Sequence, residues 1–276
     1  MGAQQTAIPL YDAHNHLQDE RLMGARDGLV GILQQENIRK MVVNGSCEKD
    51  WPEVLSMARE YPQVIPSFGH HPWYVKERSK DWLQKLNSFL DETPSAVGEI
   101  GLDRWIKDYD LPAQEEVFRA QMRVAAERNL PVSIHCLQAW GRLLELLQVN
   151  PRPGCGFVLH SFGGPQEMIP ALLRLGGYFS LPGYFAHERK IRQREAFRVV
   201  PRDRLLIETD APDQLLPPER VQFPLLDPKT NAPINHPANL GAVYQFAAEL
   251  MNEPLGSLAR QVEENFQRVF GKFFSH

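Results

Sequence analysis

Two histidines, His14 and His16, stand two residues apart in the run YDAHNH, just after a short apolar segment. Alternate residues of an extended chain point the same way, so a His-x-His pair can grip one metal ion through its imidazoles. On its own the pair need bind nothing. Four more candidates follow other apolar runs: Glu99 in AVGEIGLD, His135 after VSI, His160 after GFVL and Asp210 after LLIET. Buried ionisable groups are rare unless paired or metal-bound, and independent core packing is a poor explanation for six of them at five separate strand ends.

Such groups need a scaffold that gathers strand ends. The chain alternates β-branched runs with amphipathic stretches from end to end. Strands are predicted at residues 8–12, 40–43, 64–68, 96–100, 132–135, 156–160, 178–181 and 204–209. Several are near-continuously apolar, as in a parallel sheet covered on both faces. Helices are predicted at 114–128, 139–147, 167–175, 188–199, 239–251 and 257–270; in the first, Val117, Met122, Val124 and Ala125 supply much of an apolar stripe. Repeated strand–helix units without a composition break predict an α/β fold, a (β/α)8 TIM barrel spanning 1–276 as one domain. Its metal site is expected at the C-terminal ends of the strands. An open doubly wound sheet is the alternative, but no Gly-rich fingerprint follows an early strand. The proline-rich stretch 213–237 follows the last strand, where a barrel keeps its active site, so it reads as a lid or a surface excursion.

The order of motifs resembles the TatD family of metal-dependent deoxyribonucleases, within the amidohydrolase-like barrels. The pieces are His14-Asn15-His16, Gly69-His70-His71-Pro72, Gly98 to Asp103, His135, His160-Ser161-Phe162 and Glu208 to Pro212, with Asn265 and Phe270 near the end. The resemblance spans nearly the whole chain, and its Gly-Glu-x-Gly-Leu-Asp and Glu-Thr-Asp-x-Pro pieces are specific. It implies that His14, His16, Glu99 and Asp210 hold one divalent ion and that Glu99 bridges to a second held by His135 and His160. It also implies a 3′-5′ deoxyribonuclease acting on single-stranded or frayed DNA. Amidohydrolase-like barrels often bridge their metals with a carboxylated lysine on the fourth strand; here that strand offers Glu99 and no lysine.

The chemistry is consistent with the name. Two divalent ions about 3.5–4 Å apart can activate water and steady the attacking and leaving oxygens of a phosphodiester. Mixed nitrogen and oxygen ligands suit Zn, Mn, Co or Fe and tolerate Mg, so residue type does not choose the metal. Asp210 is the carboxylate expected to take the water's proton, through an oxygen left free by ligation. His71 is expected to reach a substrate phosphate or the leaving group, and its neighbour His70 to point away and pack. Asp103 is expected to orient a ligand imidazole or form a local ion pair. Trp73, Trp105 and Trp140 follow strand ends, where they either stack on bases or pack. Arg104 stands where the family commonly has an aromatic residue. His187, His236 and His276 fit no ligand position. The basic run 187–194 is a solvated helix face or a phosphate-backbone contact.

Composition limits the rest. The net charge of −4 argues against a broad basic coat for duplex nucleic acid. The three cysteines, Cys47, Cys136 and Cys155, lack CxxC spacing, which excludes a thiolate zinc site and suits a reducing cytoplasm. No apolar run approaches the roughly 20 residues of a membrane span. The N-terminus is not a secretory signal, and its loose myristoylation match through Gly2 and Thr6 has no polybasic second anchor. The expectation is a cytoplasmic hydrolase with no membrane contact and no obligate protein partner. A metal-dependent hydrolase of a small-molecule ester, lactone or amide is the alternative, and a non-catalytic metal-binding protein is a third reading.

Overall fold

A computed structural model describes residues 8–24 and 26–273 of the chain. The Gly2–Thr6 pattern and His276 lie outside the described residues. Eight strands pair in parallel and in chain order: β1 (Leu10–Asn15), β2 (Ile38–Asn44), β3 (Val64–Phe68), β4 (Ala96–Asp103), β5 (Val132–Leu137), β6 (Phe157–Leu159), β7 (Gly177–Pro182) and β8 (Leu205–Glu208). The order never reverses, which excludes the open doubly wound sheet. The exit of β8 closes on β1: the Asp210 N–H donates to His14 O (2.9 Å) and the His16 N–H to Ala211 O (2.8 Å). Below this seam the Thr209 N–H and hydroxyl both donate to the buried Asp12 carboxylate, at 3.0 and 2.5 Å. The eight-stranded barrel is the expected one.

Ten helices are interleaved with the strands among the described residues. They are α1 (Glu20–Met23), α2 (Arg26–Gln35), α3 (Trp51–Glu60), α4 (Trp82–Glu92), α5 (Leu111–Arg128), α6 (Trp140–Val149), α7 (Ile169–Arg174), α8 (Ile191–Arg198), α9 (Leu240–Met251) and α10 (Leu255–Phe270). Local chemistry explains where the expected boundaries moved. Helix α5 starts before residue 114 because the Asp110 carboxylate caps the Ala113 N–H and Pro112 occupies the first turn. The single helices expected at 167–175 and 188–199 each open with a 3₁₀ turn, Gln166–Met168 and Glu188–Lys190.

Strand parity divides the barrel interior into two layers. Val42, Ile65, Val158, Tyr178 and Leu206 form an apolar cluster with Phe266 and Phe270 of α10. Each lies two residues before Asn44, Ser67, His160, Ser180 or Glu208, so one strand face carries apolar groups below and polar groups above. Asn265 of α10 donates through Nδ2 to the carbonyls of Leu205 (2.8 Å) and Arg202 (2.6 Å), anchoring the final helix to the start of β8.

The stretch 213–237 is not structureless. It holds a two-stranded ribbon, β9 (Pro224–Leu226) with β10 (Pro233–Asn235). Asn239 Oδ1 accepts the N–H groups of Gln222 (3.0 Å) and Phe223 (2.8 Å), and Asn235 Nδ2 donates to Thr209 O (2.8 Å). Arg21 forks onto Asp213, both contacts at 2.9 Å. These anchors fold the segment back over the β8 exit.

Candidate metal centre

The six residues expected to ligate metal come together at the upper end of the barrel. On one side, His14 Nε2 and His16 Nε2 lie 3.4 and 3.2 Å from Glu99 Oε2, and each lies 3.6 Å from Asp210 Oδ1. On the other, His135 Nδ1 and His160 Nε2 lie 3.0 and 2.9 Å from the second Glu99 oxygen, Oε1. One carboxylate therefore faces two histidine pairs, one through each oxygen.

Glu99 gets there by a departure from strand regularity. It was expected at the end of a strand finishing at residue 100, but β4 continues to Asp103 and places Glu99 in mid-strand. Val97 and Ile100, three apart, both pack in the outer core, and the β4–β5 register shifts between them. That irregularity re-aims one side chain, and Glu99 points into the barrel. Glycines permit the crowding: a Cβ on Gly98 would lie 2.9 Å from Asn44, Ser67 and Ser133 atoms, and one on Gly101 would lie 1.9 Å from His135 O. The first pair also moves slightly, with His14 inside β1 rather than beyond it. Asp210 and Ser161, just past their strands, have left-handed backbones at φ 53° and 45°. Such conformations cluster where a site is held against local preference.

Hydrogen bonds show which imidazole nitrogens are free. His16 Nδ1 donates to Asn44 O (2.8 Å), a carbonyl that can only accept, so Nε2 is the nitrogen that faces the cluster. His135 Nε2 donates to Asp103 Oδ2 (2.9 Å), which leaves Nδ1 facing Glu99. His14 Nδ1 lies 2.7 Å from the Ser133 hydroxyl and 3.1 Å from the Asn44 amide nitrogen, and its Nε2 faces the cluster. The inward nitrogens then approach one another, at 3.2 Å between His14 and His16 and 3.2 Å between His135 and His160. Ring nitrogens converging on two carboxylates are a donor set that a divalent cation would complete in place of the histidine protons.

His71 is built differently. Its Nδ1 accepts the Trp73 N–H (3.2 Å), and burial pulls its pKa down to about 4. The neutral ring therefore carries its proton on Nε2, 3.4 Å from Glu99 Oε1. It is placed as a donor beside the cluster, although with Glu99 and His135 it also forms a group that could hold a metal ion. His70 points away, packing edge-on against Trp51 and Trp82 with Nε2 3.2 Å from Glu48.

Burial raises the Asp103 carboxyl, yet hydrogen bonds from His135 and Trp73 outweigh it and hold the pKa down at about 2. Asp210 is pushed up to about 7, chiefly by burial. Burial also opposes charge on Glu99, but the surrounding histidines, His160 first, hold its pKa well below the carboxylate range. For His16, burial opposes charge, while Glu99 and then Asp210 raise its pKa to about 9.

Asp210 does not have the free oxygen expected of it. Gln214 Nε2 donates to its Oδ2 at 2.6 Å and to Ser161 Oγ at 2.5 Å. Gln214 was not foreseen, nor were Asn44 and Ser133, and Glu208 was named in the motif without a role. Glu208 accepts from the N–H (2.7 Å) and hydroxyl (2.5 Å) of Ser161 and from the Ser180 hydroxyl, and lies 3.7 Å from His160 Nδ1.

The other candidates separate cleanly. His187 Nε2 is 3.1 Å from Leu215 O, and His236 Nδ1 accepts the Ala238 N–H, both outside the cluster. Trp140 packs edge-on against Phe162, ring centres 4.7 Å apart. In the basic run, Arg194 donates to the carbonyls of Phe185, His187 and Glu188, while Arg189 reaches the Tyr184 hydroxyl. Those side chains bind their own loop.

A family model described as TatD related DNase matches residues 11–271. The chain belongs to the TatD-related DNase family. It is 31% identical over 272 residues to a protein named 3′-5′ ssDNA/RNA exonuclease TatD from Escherichia fergusonii, covering 96% of this chain and all of that one. It is 28% identical to the protein named uncharacterized metal-dependent hydrolase YabD of Bacillus subtilis, covering 95% and 98%. Among solved structures, the TatD homolog YJJV from Escherichia coli K12 superposes with a TM-score of 0.87 at 25% identity, covering 96% and 99%. TatD-related membership agrees with the motif order. The motifs locate the clustered histidines and carboxylates, but the groups that orient them, such as Asn44 and Ser133, lie in unremarkable strand sequence.

Proposed function

We propose that the chain is a divalent-metal-dependent hydrolase that cleaves phosphodiester bonds of single-stranded nucleic acid from the 3′ end. The observation that carries this reading is Glu99, one carboxylate shared between two histidine pairs. In it, His14, His16, Asp210 and Glu99 would hold one ion, while Glu99, His135 and His160 would hold a second. Two such ions would supply Lewis-acid activation of water and of the phosphate oxygens.

The chain's own groups do the rest. Glu99 is held deprotonated by its histidines, so it can bridge without first losing a proton. His71 Nε2–H is placed to donate to a phosphate oxygen or to the leaving oxygen. Asp210 accepts the proton of the attacking water, for which Oδ2 must give up or share the Gln214 amide. Gln214 thereby holds Asp210 with Oδ1 toward His14 and His16 until water arrives. Similarity to proteins named 3′-5′ ssDNA/RNA exonuclease favours DNA and RNA alike as substrates.

The test supplies Mg, Mn, Co or Zn to the protein with 3′- or 5′-labelled single strands, beside a panel of esters, lactones and amides. Stepwise shortening from the 3′ end supports the reading. Turnover of a small ester, lactone or amide with no oligonucleotide cleavage under any metal would replace it.

A further inference from the structure

We propose that Trp73 and Trp105 form a nucleobase subsite at the rim of the metal centre, stacking the terminal base of a single strand whose phosphate reaches the cluster. The inference rests on the nucleic-acid reading above and adds to it the residues that grip the base.

Two large indoles stand open to solvent here, Trp73 at 46% exposure and Trp105 at 65%. Neighbouring exposed aromatic groups beside a polar site mark a surface that takes a ligand. The Trp73 indole and the Trp105 backbone are also held in place. The fully buried Asp103 carboxylate accepts the Trp73 indole N–H on Oδ2 (2.7 Å) and the Trp105 main-chain N–H on Oδ1 (2.6 Å). The same Oδ2 accepts His135 Nε2 (2.9 Å), so one carboxylate fixes a predicted metal ligand and the neighbouring aromatic rim. An indole fixed in advance loses little side-chain freedom when a base stacks on it.

The spacing suits a nucleotide. The Trp73 ring centre lies 5.0 Å from that of His71 and 6.4 Å from that of His135, standing nearly perpendicular to both. A base on this indole leaves its sugar to span the gap to a phosphate at the cluster. Charge in the Trp105 loop is balanced, Arg104 and Lys107 against Asp108 and Asp110. Attraction at this rim therefore comes from ring faces, which accept any base because every base has a π-face. Trp140, packed on Phe162, is excluded from the role by its packing.

The experiment measures binding of fluorescent phosphorothioate single strands, which resist hydrolysis, to the Mn²⁺-supplied protein. One strand ends in a 3′ base and its twin in a 3′ abasic sugar. Wild type is expected to bind the base-ended strand about 10-fold more tightly, the scale of one stacked base. Trp73→Leu should abolish that preference with abasic affinity unchanged, Trp105→Leu should weaken it, and Trp73→Phe, which keeps a ring without the N–H, should retain part. Equal binding of both strands by wild type overturns the subsite. So does an undiminished preference in Trp73→Leu, or its complete loss in Trp73→Phe, which would trace the effect to the hydrogen bond on Asp103. A preference that follows these variants while ordinary oligonucleotides are never cut would sink the nuclease reading and leave the subsite standing.

Discussion

The two histidine pairs around Glu99 are supported by different chemistry. On the β1 side, His14 and His16 are oriented by neutral groups, the Ser133 hydroxyl and Asn44 amide at His14 and the Asn44 carbonyl at His16. On the β5–β6 side carboxylates take over: Asp103 accepts the His135 N–H, and Glu208 Oε1 lies 3.7 Å from His160 Nδ1, near in charge but without a hydrogen bond. The β1 side compensates with Asp210, whose Oδ1 faces both rings directly. Each side therefore has negative charge beyond Glu99, in direct contact on one and relayed through imidazole on the other. A carboxylate behind an imidazole makes it a more basic ligand, whereas a carboxylate in contact gives a harder, oxygen-richer site.

The comparison can be broken most severely at its shared point. Replacing an orienting partner costs about 10–100-fold in metal affinity or activity. Glu99→Gln removes the group common to both sides, so activity should fall by more than that range and both metal affinities should drop, read by turnover and calorimetric titration. Asp210→Asn comes next and should lose most turnover; full rate with both ions bound would exclude Asp210 as the proton acceptor. Asp103→Asn should weaken metal binding about 10–100-fold on the β5–β6 side only, visible as one altered step in a two-step titration. Ser133→Ala should give a smaller loss, below about 10-fold, and on the β1 side.

The smallest effect lies outside the centre and checks that these losses are local. Glu48 is pulled down to about 2 from its usual 4.5: partial burial opposes its charge, but hydrogen bonds from Ser79, Lys85 and His70 outweigh it. A depressed carboxylate stabilises the fold above its unfolded pKa and loses that contribution as pH falls toward the folded value. Glu48→Gln should therefore cost about 2 kcal/mol at pH 7 and progressively less between pH 4.5 and 2, measured by urea unfolding, with metal affinity unchanged.

Much of the barrel was legible in the sequence because strands buried on both faces read as apolar runs, and Val64–Phe68 has the expected bounds. The convergence of His14, His16, Glu99, His135, His160 and Asp210 was legible because strand ends of a barrel share one face. What lay out of reach depends on tertiary contact. No spacing shows that His135 faces inward through Nδ1, since that follows from Asp103, thirty-two positions away in the chain. Nor does sequence show that Gln214 occupies Asp210 Oδ2, a contact made when the chain turns back after β8. The exit of Glu99 from strand parity depends on a register shift against β5, and residue types do not encode it.

Anomalous diffraction from crystals grown with Mn²⁺ tests the centre most directly. Two peaks are expected, one among His14, His16 and Asp210 and one between His135 and His160, with a Glu99 oxygen on each. A single peak, or two peaks with Glu99 binding only one, would contradict the shared-carboxylate centre.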